Sequence, residues 1–63
     1  MRLFDIMSVI SGDEVVHIIN NSEETLFYGT VREAYFELDV DVLKSKKVSY
    51  VFNGFGGLCI DVN

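Results

Sequence analysis

The first residues of the chain follow a helical pattern. Apolar side chains recur at i, i+3, i+4 and i+7, namely at Leu3, Ile6, Met7 and Ile10. Side chains at this spacing share one face of a helix, so the pattern predicts a short amphipathic helix over residues 2–11. Ser11-Gly12 ends it, because glycine accepts the left-handed conformation found just beyond a helix C-terminus.

Two extended segments follow. Residues 14–20 are dominated by β-branched side chains, which favour a strand, and both faces of this strand are apolar, which indicates that both are covered. A polar turn at 21–24 leads into a second strand at 25–30. A hairpin with this loop pairs Asn20 with Thr25, Ile18 with Phe27, His17 with Tyr28 and Val16 with Gly29.

The clearest local signal is a capping box at Thr30 and Glu33. In this motif the threonine side chain accepts from the Glu33 backbone N–H, and the Glu33 carboxylate reaches back to Thr30. Helical spacing continues after it, at Val31, Ala34, Tyr35 and Leu38. We expect this helix to end near Leu38, and a further short turn, capped by Asp39, to run through Leu43.

Two alternating segments, 47–53 and 58–62, close the chain as strands. A two-residue hairpin at Asn53-Gly54 would turn Leu58, Ile60 and Val62 to the wrong face. We therefore predict a three-residue loop at 54–56. It pairs Phe52 with Leu58, Tyr50 with Ile60 and Val48 with Val62.

These segments predict a single α+β domain over residues 1–63, with the order α-β-β-α-β-β. The two hairpins form one antiparallel four-stranded sheet with short helices on one face. The other face is then open and apolar, and its candidate residues are Val15, His17, Ile19, Leu26 and Tyr28. In the alternative arrangement, a strongly bent sheet or small barrel buries this face internally.

The size of the chain favours self-association. A domain of about 60 residues buries only about 60% of the surface that its unfolded chain exposes, so a monomer is marginally stable. One Cys excludes an internal disulfide, and one Cys with one His supplies too few ligands for a structural zinc. With 49% hydrophobic residues, some apolar surface should meet another chain. The candidate interface residues are Ile19, Leu26, Tyr28 and Phe55.

Two interpretations of the role of Phe55 are open. As an aromatic side chain on a glycine-rich loop, it is either an anchor for a partner or a side chain that folds back onto the sheet. The segment Asn53–Gly57 is otherwise a turn and not a phosphate loop, because Leu58 and Cys59 follow where a Walker motif has lysine and a hydroxyl residue.

The net charge of −5 argues against ordinary nucleic-acid binding, which depends on lysine and arginine. The nucleic-acid alternative uses the basic cluster with its neighbouring aromatic residue, namely Lys44, Lys46, Lys47 and Tyr50. DNA mimicry is disfavoured because the ten acidic residues are scattered among five cations. We find no export signal and no membrane span, and together with the lone Cys this predicts a cytoplasmic protein.

No residue set predicts catalysis, a metal or a cofactor. His17 lacks a neighbouring nucleophile, so we interpret it as one half of a structural cross-strand pair with Tyr28. Cys59 lies in a strand beside Asp61, which disfavours a thiolate. The acidic run at residues 37–41 lacks the glycine and distal glutamate of a calcium loop, so it is interpreted as a solvated helix end.

The whole layout resembles a known group of sequences. A helix of the type RLFDIMSVI leads to the strand DEVVHII, then LFYGTVRE runs from a strand directly into a helix, and VSYVF and LCIDV close the chain. This resembles uncharacterised small proteins encoded by phages and integrated mobile elements of bacteria. The resemblance implies a small cytoplasmic accessory protein from a mobile element, and it supplies no active residues to carry over to this chain. We expect a non-enzymatic interaction module, with an inhibitor of a host enzyme or defence complex as the alternative.

Overall fold

The computed structural model describes residues 1–54 and 56–63, so the expectations for Phe55 lie outside the described residues. The fold is α+β. Its elements are α1 (Leu3–Met7), β1 (Val15–Asn20), β2 (Glu24–Thr30), α2 (Val31–Glu37), α3 (Val40–Ser45), β3 (Val48–Gly54) and β4 (Gly57–Val62). The short turn expected after Asp39 is a helix in its own right, so the order is α-β-β-α-α-β-β. The Asp39 side chain makes no capping hydrogen bond.

The first helix is shorter than expected, since α1 covers only part of residues 2–11. After Met7 the chain tightens into turns in which Val9 N–H donates to the Ile6 carbonyl and Ile10 N–H to the Met7 carbonyl. Ile6 and Ile10 still pack against the core. The apolar stripe is therefore used as predicted, although the backbone leaves α-helical geometry.

The sheet is mixed, and the expectation of a purely antiparallel sheet is wrong. Its strand order is β2-β1-β4-β3, and it is open, with β2 and β3 at its edges. Each hairpin is antiparallel, but β1 and β4 run parallel at the centre. Parallel neighbours need a long crossover, which α2 and α3 provide. This order places the two strands with the most buried side chains in the middle.

The register of the first hairpin is confirmed over most of its length. Val16 pairs with Gly29, His17 with Tyr28 and Ile18 with Phe27. A bulge then shifts the register, so Asn20 pairs with Glu24 and not with Thr25. The turn is tighter than the four-residue loop because Asn21 and Ser22 both take positive φ, at 54° and 60°.

The second hairpin differs from its predicted register by one residue. Gly54 pairs with Gly57, Phe52 with Cys59, Val51 with Ile60 and Tyr50 with Asp61. An irregularity between Val48 and Tyr50 then restores the predicted pairing of Val48 with Val62. The pairings of Phe52 with Leu58 and of Tyr50 with Ile60 are therefore wrong. Since side chains alternate between faces, this shift moves Tyr50 and Phe52 away from the face of Ile60.

One hydrophobic core lies between the helices and one face of the sheet. All three helices and both central strands contribute to it, and its fully buried members are Leu3, Met7, Val16, Ile18, Val31, Ala34, Leu43, Ile60 and Val62. The helices therefore cover a single face, as expected. Among residues 1–54 and 56–63, no helix packs on the opposite face.

The capping box at the start of α2 is confirmed. Glu33 N–H donates to Thr30 Oγ1 at 3.2 Å, and Thr30 N–H donates to Glu33 Oε1 at 3.0 Å. The Thr30 backbone N–H, and after it the Thr30 hydroxyl, hold the pKa of the Glu33 carboxyl below its ordinary value. Because the box joins the end of β2 to α2, it fixes where the helix crosses the edge of the sheet.

Thr30→Ala should lower the free energy of unfolding by about 1 kcal/mol, because it removes the oxygen that accepts from the Glu33 N–H. Urea unfolding followed by circular dichroism measures this difference. Ser45→Ala at the exposed end of α3 is the matched hydroxyl deletion and should change stability by only a few tenths of a kcal/mol. Equal losses in the two variants would contradict the capping role.

Candidate interaction surface

The sheet face opposite the helices is called the open face here. Its side chains come from all four strands and are Val15, His17, Ile19, Thr25, Tyr28, Tyr50, Phe52, Cys59 and Asp61. The aromatic residues of the outer strands are exposed, with 58% of Tyr28, 63% of Tyr50 and 40% of Phe52 accessible to solvent. The buried members, Cys59 and Asp61, come from the central strand β4. The open face is therefore an aromatic rim around a closed centre.

Tyr50 and Phe52 form one aromatic pair on β3. Their ring centroids are 5.4 Å apart and the rings are tilted by 37°. Their cross-strand partners on β4 are Asp61 and Cys59, which are 7% and 8% exposed. The pair stands beside buried residues, and most of Tyr50 still faces solvent.

The Asp61 side chain on the open face holds the turn between β1 and β2 against β4. The Ser22 N–H donates to Asp61 Oδ1 at 2.9 Å, and the Ser22 hydroxyl donates to Oδ2. Ser22 has a positive φ, which few non-glycine residues adopt. The carboxylate thus ties a strained turn to β4. The role of Asp61 is therefore structural. In the sequence, the one indication of this role is that Asp61 is an acidic residue within an apolar strand.

His17 and Tyr28 form the cross-strand pair that the sequence predicts. Their ring centroids lie 5.4 Å apart in an edge-to-face arrangement at 77°. His17 Nε2 is 2.9 Å from Thr25 Oγ1. A hydroxyl bonded to an imidazole is the start of a nucleophilic dyad, but in the described residues no carboxylate bonds the second ring nitrogen. The pair stands on an open sheet surface, where it orders the Tyr28 ring.

The other residues that could take part in catalysis or metal binding do not form a site among the described residues. Cys59 is buried, and its Sγ occupies the space above Gly54, so it packs as a small apolar side chain. Within residues 1–54 and 56–63, no three His, Cys, Asp or Glu side chains come together as metal ligands would. The longest described helix, α2, has seven residues, and none is long and apolar enough to cross a membrane.

The basic cluster lies around the end of α3. Lys44 is in the last turn of that helix, and Lys46 is the residue that ends it. Lys47 forms an isolated antiparallel bridge with Arg2. These residues therefore belong to the junction between α3, β3 and the first residues of the chain.

The predicted interface residues have different positions. Ile19 and Tyr28 lie on the open face, as expected. Leu26 falls in the bulge of β2 and packs against the core, which differs from its expected place on this face. The sequence does not predict Tyr50 and Phe52 as members of the open face, because the predicted register groups them with Leu58, Ile60 and Val62, which the structure places on the core side. Their alternation with Ser49 and Val51 is visible in the sequence, but it does not say which set faces outward.

Two shallow grooves flank the sheet. One, of about 470 Å³, runs along the outer side of β2 and is lined by Phe27, Tyr28, Glu33, Phe36 and Glu37. The other, of similar size, lies at the end of the second hairpin and is lined by Glu14, Asn53, Gly54, Gly57 and Leu58. Both open to solvent, whereas small-molecule sites usually enclose most of their ligand.

Comparison with known proteins assigns no family. No protein-family model, no curated protein and no solved structure matches the chain. A proposal of function therefore depends on the surface chemistry of the chain itself.

Proposed function

We propose that the protein is a non-enzymatic protein-interaction module that acts as a homo-oligomer and binds a partner protein on its open face. The observation that supports this most is the exposure of Tyr28, Tyr50 and Phe52 on one helix-free sheet face. Aromatic residues are enriched in protein interfaces, because they bury a large area and lose few rotamers. The Asp61 carboxylate on this face is buried and accepts hydrogen bonds from Ser22 on both oxygens, so its polar atoms need no donor from a partner.

The dimensions of the open face indicate the strength of binding. Four strands about 4.8 Å apart and six residues with a rise of about 3.3 Å make a face of roughly 19 by 20 Å, or about 400 Å² when flat. A standard interface buries about 800 Å² on each partner. One copy of the face is about half that size, so a single copy binds weakly and transiently.

The charge of the chain indicates the kind of partner. The protein carries a net charge of −5, whereas among the described residues of the open face Asp61 is the only Asp, Glu, Lys or Arg. A fitting partner therefore presents apolar or aromatic residues at the centre of its surface and lysine or arginine around them. Such charge complementarity raises the association rate and makes it sensitive to salt.

The inhibitor of a host enzyme or defence complex is a narrower form of this proposal, in which the partner is an enzyme whose activity falls on binding. The alternative is that the partner is a nucleic acid, and a test must distinguish it from a protein partner because bases also stack on exposed aromatic rings. The acidic charge of the chain opposes it.

Tyr28→Glu should weaken partner binding at least tenfold, because it places a charge among the rings of the open face. Proteins captured from lysate of the source cell, with and without nuclease, provide the partner, and calorimetry with that purified partner measures the affinity. Val9→Glu is the control, since Val9 is 81% exposed but lies in the turns after α1 and lines neither the open face nor the groove beside Tyr28. Melting curves of both variants verify that they remain folded.

Two outcomes would overturn the proposal. In one, capture is lost on nuclease treatment and labelled oligonucleotides bind saturably, which would favour the nucleic-acid alternative. In the other, a protein binds equally well to wild type, Tyr28→Glu and Val9→Glu, which would place the contact elsewhere. Capture of a protein supports the open face only when Tyr28→Glu weakens it and Val9→Glu does not.

A further inference from the structure

The two edges of the sheet differ in how they are protected. At the β2 edge, the Thr30 N–H is occupied by the Glu33 carboxylate at 3.0 Å, and a bulge interrupts the strand near Thr25. The helix α2 also stands beside this edge, where Glu33 and Phe36 line a groove. Bulges, charges and covering elements are the usual means by which proteins prevent pairing at a strand edge.

In the part of the chain that the structure describes, the β3 edge has none of these protections beyond its first residues. The segment Val48–Gly54 has no charged residue and no proline. Met1 covers its beginning, since the Val48 N–H donates to the Met1 carbonyl at 2.8 Å. The irregularity of the strand lies between Val48 and Tyr50, so residues 50–54 form a regular edge.

The direction of the backbone groups on this edge follows from two hydrogen bonds of β4. The Val62 carbonyl accepts from Asn21, on the side of β1, and the Asn63 N–H donates to the Lys47 carbonyl, on the side of β3. The backbone N–H and C=O groups of successive residues point to alternate sides of a strand, so those of Asp61, Cys59 and Gly57 also point to β3. The backbone groups of their partners Tyr50, Phe52 and Gly54 point back to β4.

The backbone groups of Val51 and Asn53 therefore point away from the sheet. Within the described residues, neither residue has a further backbone hydrogen bond outside the ladder. A row of unpaired N–H and C=O groups on a regular, uncharged strand is a template for another strand.

We propose that β3 pairs antiparallel with β3 of a second copy, which joins two four-stranded sheets into one of eight strands. This inference rests on the proposed function, because it names the contact by which the homo-oligomer forms. The occupant is a second copy because the segment is uncharged, so two chains of net charge −5 meet there without like charges in register. A twofold axis makes the contact self-complementary.

The register centred on Phe52 fits best. It sets Val51 opposite Asn53 of the other copy as hydrogen-bonded pairs on both sides of the axis, and it uses only the regular residues 50–54. Phe52 then lies opposite Phe52 of the other copy, in a non-hydrogen-bonded pair where side chains approach most closely. The aromatic pairs of the two copies form one cluster of four rings on the joined open face.

This dimer also accounts for the small area of a single open face. Pairing at β3 places the two open faces side by side, on one continuous sheet. Their combined flat area is about 800 Å², close to that of one partner in a standard interface. The dimer, and not the single chain, is then the unit that binds a partner.

Asn53→Pro tests the pairing, because proline removes an outward N–H and leaves the inward bonds of Phe52 and Gly54 to β4 intact. Sedimentation equilibrium at increasing concentration should show a wild-type dimer whose dissociation constant rises at least tenfold in Asn53→Pro. Asn53→Ala, which keeps the N–H, is the matched control and should dimerise like wild type. Amide exchange of the wild-type protein gives a second measurement that needs no variant.

In the dimer, the Val51 and Asn53 amides should exchange slowly, whereas dilution to the monomer should make them fast and leave the Phe52 amide slow. A dimer with fast Val51 and Asn53 exchange, or with no response to Asn53→Pro, would overturn the β3 pairing and leave self-association standing. A monomer at every concentration would overturn the pairing and the homo-oligomer together. Partner binding through Tyr28 is measured separately, so its failure is distinguishable from both.

Discussion

Ile60→Ala should lower the free energy of unfolding by about 2–5 kcal/mol, because truncation of a fully buried isoleucine leaves a cavity. Ile60 lies at the middle of β4, with Ile18 of β1 on one side and Val51 of β3 on the other. In a domain of this size, such a loss corresponds to a melting temperature lower by roughly 10–30 °C. Thermal unfolding followed by circular dichroism measures it.

The effect is large relative to the total stability of so small a protein. At about 0.05–0.15 kcal/mol per residue, the 63-residue chain has roughly 3–9 kcal/mol available. Ile60→Val, which removes one methyl group, should cost only about 0.5–1.5 kcal/mol. Val9→Ala, at a position 81% exposed, should stay within about 0.5 kcal/mol of wild type. Equal stability of Ile60→Ala and Val9→Ala would contradict a central position for β4.

Local patterns are sufficient to predict the first hairpin and α2. The register that pairs His17 with Tyr28 follows from two strands and a short polar turn. The capping box at Thr30 and Glu33 marks the start of α2 by side-chain chemistry alone. Both features depend on residues close together in sequence, where steric and hydrogen-bonding rules decide the outcome.

The parallel pairing of β1 and β4 has no comparable local signal. A meander of four strands and the observed order contain the same two hairpins, and they differ in which strands lie at the centre. The observed order buries β4, whose last four residues from Cys59 to Val62 are all buried. That choice depends on contacts between residues about forty positions apart, such as Ile18 with Ile60, which no short window contains.

On the open face, a one-residue shift in strand register changes which residues are predicted to form the interaction surface. The side-chain period of a strand is two, so a shift by one exchanges the buried and exposed sets. The three-residue loop predicts Tyr50 and Phe52 on the same face as Leu58 and Ile60, whereas the pairing of Gly54 with Gly57 turns them to the opposite face. The irregularity after Val48, where the Ser49 hydroxyl donates to the Asp61 carbonyl, has no distinctive sequence signature.

The sequence therefore predicts that an open face exists, but it finds only part of that face. Ile19 and Tyr28 are found because they lie in the hairpin whose register is set locally. Leu26 is misplaced because the bulge of β2 turns it to the core. The aromatic pair that the β3 dimer would share is visible only once both the strand order and the second register are known.

Gly57→Ala should destabilise the protein by about 2–4 kcal/mol, because β1 passes directly against this glycine. A Cβ at position 57 would lie 2.5 Å from the Val15 carbonyl oxygen and 3.1 Å from its carbonyl carbon. These atoms belong to the backbone of β1 and cannot rotate away. The strands must separate where the parallel pair begins, which adds the loss of ladder hydrogen bonds to the cost of overpacking.

Gly12→Ala is the matched control for this substitution. The three atoms nearest to a Cβ at position 12 all belong to the guanidinium of Arg32, the closest at 3.1 Å, and that exposed group can move aside. Urea unfolding should therefore separate the two variants by at least 1 kcal/mol, with Gly57→Ala the less stable. In a four-stranded meander, β1 would not lie beside β4, and alanine at position 57 would be tolerated as well as at position 12. Equal midpoints and slopes for the two variants would thus reject the parallel β1–β4 pair, and with it the sheet order that makes β3 an edge.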